Sequence, residues 1–130
     1  MFDHVGIQVT DVSASAVALA AALQPIGLVE SQRFETPAGP VVAFADASRP
    51  ELPYFWLSGG TATDPRHESH LAFQAGSRAE VDAVGAAAAA TGLEILHEPR
   101  LWPEYHEHYY GVFFRDLDGN NLEAVSHRPE

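Results

Sequence analysis

The 130-residue sequence contains no cysteine and no lysine. The first absence excludes disulfides, thiolate metal sites and a cysteine nucleophile. The second excludes Schiff-base chemistry on a lysine amine. Cationic charge is scarce: the seven basic residues are all arginine, spread singly from Arg33 to Arg128, and the formal net charge is −11. Phosphate backbones are bound by clustered cations, so a nucleic-acid partner is excluded. No apolar run is long enough to span a bilayer, so no membrane partner is expected either. The opening MFDHVGIQV lacks the basic start and apolar stretch of a signal peptide, and a cytoplasmic location is expected. What the chain does have is 46% hydrophobic residues, enough to bury a core. Its length suits one domain, or two small modules sharing one core.

The sequence says one thing twice. HVGIQ at residues 4–8 and HLAFQ at residues 70–74 both begin with His, end with Gln and hold only apolar residues or Gly between. Alternation in each predicts a strand with one apolar and one polar face, the polar face carrying His4, Gly6 and Gln8 in the first and His70, Ala72 and Gln74 in the second. A helix follows each strand. Thr10 and Asp11 start the first, Val12, Ala16, Leu19 and Leu23 form its stripe, and Pro25 with Gly27 ends it. Ser77 and Glu80 carry a capping-box signature for the second, Val81, Val84 and Ala88 its stripe, and Gly92 its end. Strands are predicted near 28–35, 40–46, 53–58, 93–97, 109–115 and 121–126, the last two joined by the turn Asp116-Leu117-Asp118-Gly119-Asn120. A longer segment, Glu98 to His108, precedes the penultimate strand and holds Trp102, Pro103, Tyr105, His106 and His108. Loops of that composition carry function more often than filler does.

Paired modules bring equivalent strands together, so His4 and His70 are expected to meet in a shared interior. Two imidazoles suit a divalent metal, with a carboxylate as the usual complement. Glu123, in NNLEAVSH, alternates against Leu122 and Ala124 and supplies one. An ionised Glu inside a strand is costly unless paired or coordinated. The step from His70 to Glu123, taken from His4, lands on Leu57, or on Trp56 if the register is one residue out; neither can ligate.

The stretches DHVGIQVTDV, HLAF and YYGVFFRDLDGNNLEAVSH resemble the vicinal oxygen chelate superfamily, the group of glyoxalase I, bleomycin-resistance proteins, fosfomycin-resistance enzymes, methylmalonyl-CoA epimerase and extradiol dioxygenases. The last stretch is similar to the DPDGNxIE ending of glyoxalase-like members, with Leu117 in place of Pro. The resemblance covers essentially the whole chain and implies an α+β fold: two βαβββ modules forming a cupped, incomplete β-barrel around a metal. One domain over 1–130 is expected, with module one at about 1–60, a linker at about 59–67 and module two at about 68–130.

By the same resemblance, His4, His70 and Glu123 match the metal ligands, for one divalent ion such as Zn, Ni, Mn or Fe. Glyoxalase I has a further carboxylate in the first module that this chain lacks. The implied function is a metal-dependent lyase or isomerase acting on a small substrate that chelates through vicinal oxygens. Glu123 and His106 are the candidate bases, and Tyr110 is expected to face the cup. His106 is either an acid/base group or a fourth ligand. An Fe(II) extradiol-type dioxygenase and a metal-free drug-binding protein are the alternatives. Small two-module members dimerise, so a homodimer is expected. Trp102 is a candidate lid, and His67, His97, His108 and His127 read as structural or surface residues.

Overall fold

The computed structural model describes residues 3–60 and 69–130. Residues 61–67 of the expected linker, and with them His67, lie outside the described residues. Each module runs strand, helix, three strands: β1 (Val5–Val9), α1 (Val12–Leu23), β2 (Leu28–Thr36), β3 (Gly39–Asp46) and β4 (Phe55–Gly59), then β5 (His70–Gln74), α2 (Arg78–Ala90), β6 (Ile95–Leu101), β7 (Tyr110–Arg115) and β8 (Asn121–Ser126).

Local chemistry sets the helix ends. Asp11 caps α1 by accepting from the Ala14 N–H at 2.9 Å. A 3-10 turn over Gln24–Ile26, carrying Pro25, closes α1, and Gly27 takes the left-handed conformation at φ 82° that side chains rarely adopt. Ser77 caps α2 through the Glu80 N–H at 3.2 Å, while the Glu80 carboxylate reaches back to the Gly76 N–H at 2.6 Å. That is the expected box shifted by one donor.

The sheets have the orders β1-β4-β3-β2 and β5-β8-β7-β6. In each, the first strand pairs parallel with the last strand of its module, and the other pairs are antiparallel. The two helices pack on one another, and each lies on the apolar face of its own sheet. One core results, with Leu19, Phe44, Phe55 and Leu57 from the first module and Val84, Phe114 and Leu122 from the second fully buried. Phe55 and Phe73 meet edge to face across the modules at 5.2 Å. Among the described residues no strand of one sheet bonds to a strand of the other, so the sheets are not closed into a barrel and the outer edges of β1 and β5 are unpaired. No described helix is long and apolar enough to cross a membrane.

The segment expected as a loop from Glu98 is strand up to Leu101. Register shifts between Ile95 and His97 and between His97 and Arg100 place Pro99 in a bulged stretch of an edge strand, where no ladder N–H is required of it.

The β7–β8 turn is built on Asp116. Its Oδ1 accepts from the Asp118 and Asn120 N–H groups at 2.9 and 2.8 Å, and its Oδ2 from the Asn120 side chain at 2.9 Å. Asp118 then ties the turn to the other module, accepting from the Thr10 N–H at 2.9 Å and hydroxyl at 2.6 Å. Asp116 is buried, so Asp116→Ala strands several donors. A loss of about 2 kcal/mol in unfolding free energy is expected by urea denaturation. A loss within error of zero would show that the turn is held by its backbone alone.

Candidate functional site

Parallel pairing of β5 with β8 sets Ala72 opposite Glu123 and His70 opposite Asn121. Leu122 and Ala124 go into the core, so Glu123 points to the other face. There its side chain is only 1% exposed. His70 leans across the small Ala72 row, and its Nε2 lies 3.1 Å from Glu123 Oε2. The other ring nitrogen, Nδ1, lies 3.1 Å from the Asn121 carbonyl oxygen. A carbonyl only accepts, so Nδ1 carries the hydrogen and a neutral His70 has a bare lone pair at Nε2. Two lone pairs, on Nε2 and Oε2, then face each other, and a positive charge must sit between them: a proton or a metal ion.

Glu123 Oε1 is taken by Tyr109, whose hydroxyl donates a hydrogen bond to it. The reach is possible because residue 111 is glycine: a Cβ there would stand 3.1 Å from Oε1 and 3.4 Å from the Tyr109 ring. Phe113, opposite Glu123 on β7, stacks on His70 at 6.0 Å. His97 and Trp102 meet Phe113 edge to face at 5.7 and 5.1 Å. Trp102 is no lid. Its indole N–H donates to the Gly111 carbonyl at 3.0 Å, the Arg100 guanidinium lies 3.4 Å above its ring, and it is buried in the wall of the site.

Of the residues expected here, the fold brings His70 and Glu123 together and leaves His4, Tyr110 and His106 apart from them. His4 is 63% exposed and pairs with Asp3 at 2.7 Å. Among the described residues no three His, Asp or Glu side chains converge as a metal cluster. Tyr110 does not face the cup: its hydroxyl donates to Asp82 on α2 at 2.7 Å, and Arg78 stacks over its ring. Alternation puts one of two adjacent tyrosines on each face, and the cup-facing one is Tyr109. His106 lies behind Tyr109, with rings 5.4 Å apart, and its Nε2 is 2.8 Å from His127 Nδ1. The His108 N–H donates to His106 Nδ1 at 3.1 Å, which makes Nε2 the donor to His127.

Tyr109 and His127 are the residues that sequence reasoning missed. His127 had a signal, since it continues the alternation of Glu123 and Val125 beyond the end of β8. The register also settles the first-module equivalent of Glu123. Gly6 pairs with Trp56 as Ala72 pairs with Glu123, so the position is Trp56, not Leu57. Leu57 is core; Trp56 stacks on Phe34 at 6.2 Å. A separate groove of about 380 Å³ runs by the free edge of β5, lined by Val5, Asp46, Tyr54, Leu71, Phe73 and Gln74.

A family model described as the Glyoxalase/Bleomycin resistance protein/Dioxygenase superfamily matches residues 1–124. The chain belongs to this superfamily. Among solved structures, it is similar to a glyoxalase/bleomycin resistance protein from Albidiferax ferrireducens, with 25% identity, 97% of this chain and 98% of that one covered, and a TM-score of 0.75. It is similar in fold to a Glu-to-Gln mutant of the fosfomycin resistance protein FosX of Listeria monocytogenes, solved with Mn(II) and 1S,2S-dihydroxypropylphosphonic acid, at 20% identity, 96% and 88% coverage and a TM-score of 0.70. Lactoylglutathione lyase from Agrobacterium tumefaciens aligns at 18% identity, 97% and 92% coverage and a TM-score of 0.66. No curated protein matches the chain. The paired modules of this superfamily member thus carry unequal fronts: His70, Glu123 and Tyr109 on one, Trp56 and Phe34 on the other.

Three of the four tyrosines have raised pKa values. Burial, then the Glu123 carboxylate, pushes Tyr109 up; burial, then Asp82, pushes up Tyr110; burial, then the Asp46 charge, pushes up Tyr54. Their folded forms hold protons that the unfolded chain releases above about pH 10, so stability is full below that pH and falls as pH rises past it. With no lysine to titrate there, the effect belongs to these tyrosines. Unfolding free energy should fall between about pH 10 and 11.5, with tyrosinate absorbance appearing late in the folded protein. A flat profile over that range would contradict the burial of the phenols.

Proposed function

We propose that this chain is a metal-dependent, glyoxalase-like enzyme of the lyase or isomerase type, acting on a small substrate with two neighbouring oxygens. The observation that carries the reading is the pair of lone pairs at His70 Nε2 and Glu123 Oε2, 3.1 Å apart, with the opposite ring nitrogen bonded to a backbone carbonyl. Metal-binding histidines are oriented in that way. The donor set fits a divalent ion such as Zn, Ni, Mn or Fe, with His4 as third ligand. FosX, of similar fold, was solved with Mn(II).

His4 reaches the site from a second copy of the chain. The two modules pack back to back through their helices, which leaves each cup without its opposite half, and the edges of β1 and β5 are open for pairing. A homodimer joined at those edges presents His4, at the head of β1, to His70 and Glu123 of the other copy.

A bound ion would supply Lewis acidity, polarising the substrate oxygens and acidifying the adjacent C–H. Released from the ion, Glu123 would be the carboxylate at hand to accept that proton, and its burial limits competition from water. His106 is engaged by His127 and the His108 N–H, and serves from behind Tyr109. Phe113 and Trp102 form an apolar wall that orients the rest of the substrate. That aromatic wall also suits a catechol, and the same ligands holding Fe(II) would make the chain a ring-cleaving dioxygenase, the second reading.

Elemental analysis of tag-free protein tests the site. About one metal per chain is expected in the parent and none in Glu123→Gln or His4→Ala. Mixing the two variants after partial unfolding should restore one intact site in each mixed dimer. No recovery on mixing, from a parent that does bind metal, would place His4 outside the shared site. Metal uptake should weaken as pH falls, because protons compete for imidazole lone pairs. A parent that takes up no metal would leave a binding protein as the better reading.

A further inference from the structure

Tyr109 stands one residue before β7, yet both its backbone groups are held. Its N–H donates to the His106 carbonyl at 3.2 Å, and its carbonyl accepts from the Trp102 N–H at 2.8 Å. Its ring is enclosed by Tyr105 at 4.9 Å, His127 at 5.2 Å and His106 at 5.4 Å. The His106–His127 hydrogen bond closes the segment onto the chain beyond β8. These contacts enclose the ring whose hydroxyl donates to Glu123 Oε1 over Gly111, where no Cβ obstructs it.

We propose that Tyr109 is a positioning residue for Glu123. By occupying Oε1 it leaves Oε2 as the single oxygen beside His70, so that the carboxylate engages a cation through one oxygen in a fixed orientation. The long segment before β7 exists, on this account, to place that hydroxyl. The proposal rests on the metal reading above. Outer partners of metal-ligating carboxylates have this effect generally, and losing one typically costs about 10- to 100-fold in metal affinity.

The test is Co(II) titration of metal-free protein, read by calorimetry for affinity and by visible absorption for coordination. Tyr109→Phe keeps the ring and removes only the hydroxyl. It should weaken Co(II) binding by about 10- to 100-fold. It should also weaken the visible bands, as a freed Oε1 joins the ion and raises its coordination number. Gly111→Ala, whose Cβ would press on Oε1 and on the Tyr109 ring, should change the spectrum too. Tyr110→Phe, which removes a hydroxyl that faces Asp82 on α2 and not the cup, is the control and should match the parent's affinity and spectrum. Thermal unfolding of each metal-free variant separates lost fold from lost positioning; should Tyr109→Phe fail to fold, Gly111→Ala decides by the same two readouts. A folded Tyr109→Phe with the parent's affinity and spectrum overturns the positioning role while the metal site stands. A parent that binds no Co(II) overturns both.

Discussion

The parallel pairing of β5 with β8 is the constraint on which the site depends. It joins the first and last strands of a module in one row, so His70 and Glu123 become neighbours although the whole module lies between them. A strand slipped by one residue would turn Glu123 into the core and Leu122 toward the cup. The buried Leu122 and Ala124 hold the register, and the Asp116 turn feeds β8 into the ladder at the right residue.

Around that pair the structure fixes protons and lone pairs rather than only positions. The Asn121 carbonyl selects the His70 tautomer, and Tyr109 selects the Glu123 oxygen. Phe113 and Trp102, both buried, form the aromatic wall beside the pair. Such preorganisation is what a metal or proton-transfer site requires. The equivalent row in the first module has Gly6 and Trp56, which can pack against a ligand but not bind an ion.

Much of the fold was legible in periodicity. Both helices, their caps, the turn on Asp116 and seven of the eight strands follow from alternation, 3.6-residue spacing and turn chemistry within a few residues. β6 ran past its expected end because bulges let an edge strand carry Pro99. Within the site, Glu123 and His70 were legible because a charged or imidazole residue on a regular strand is conspicuous. Tyr109 was not, because two adjacent tyrosines at a strand end carry no alternation signal until the strand's start is known.

By itself the sequence determined the repeat, the strand and helix order of each half, and that His70 and Glu123 stand on polar strand faces, since these are written in alternation and spacing along one chain, while the superfamily was legible in its motifs. Only the tertiary structure decided which tyrosine reaches Glu123, that Trp56 rather than Leu57 occupies the matching row, that Trp102 is wall and not lid, and that His4 stays away from His70 within the chain. The physical reason is common to all four. Strand alternation reports the face a residue takes relative to its own strand, whereas these outcomes depend on register between strands and on how two modules pack, and both are set by non-local contacts.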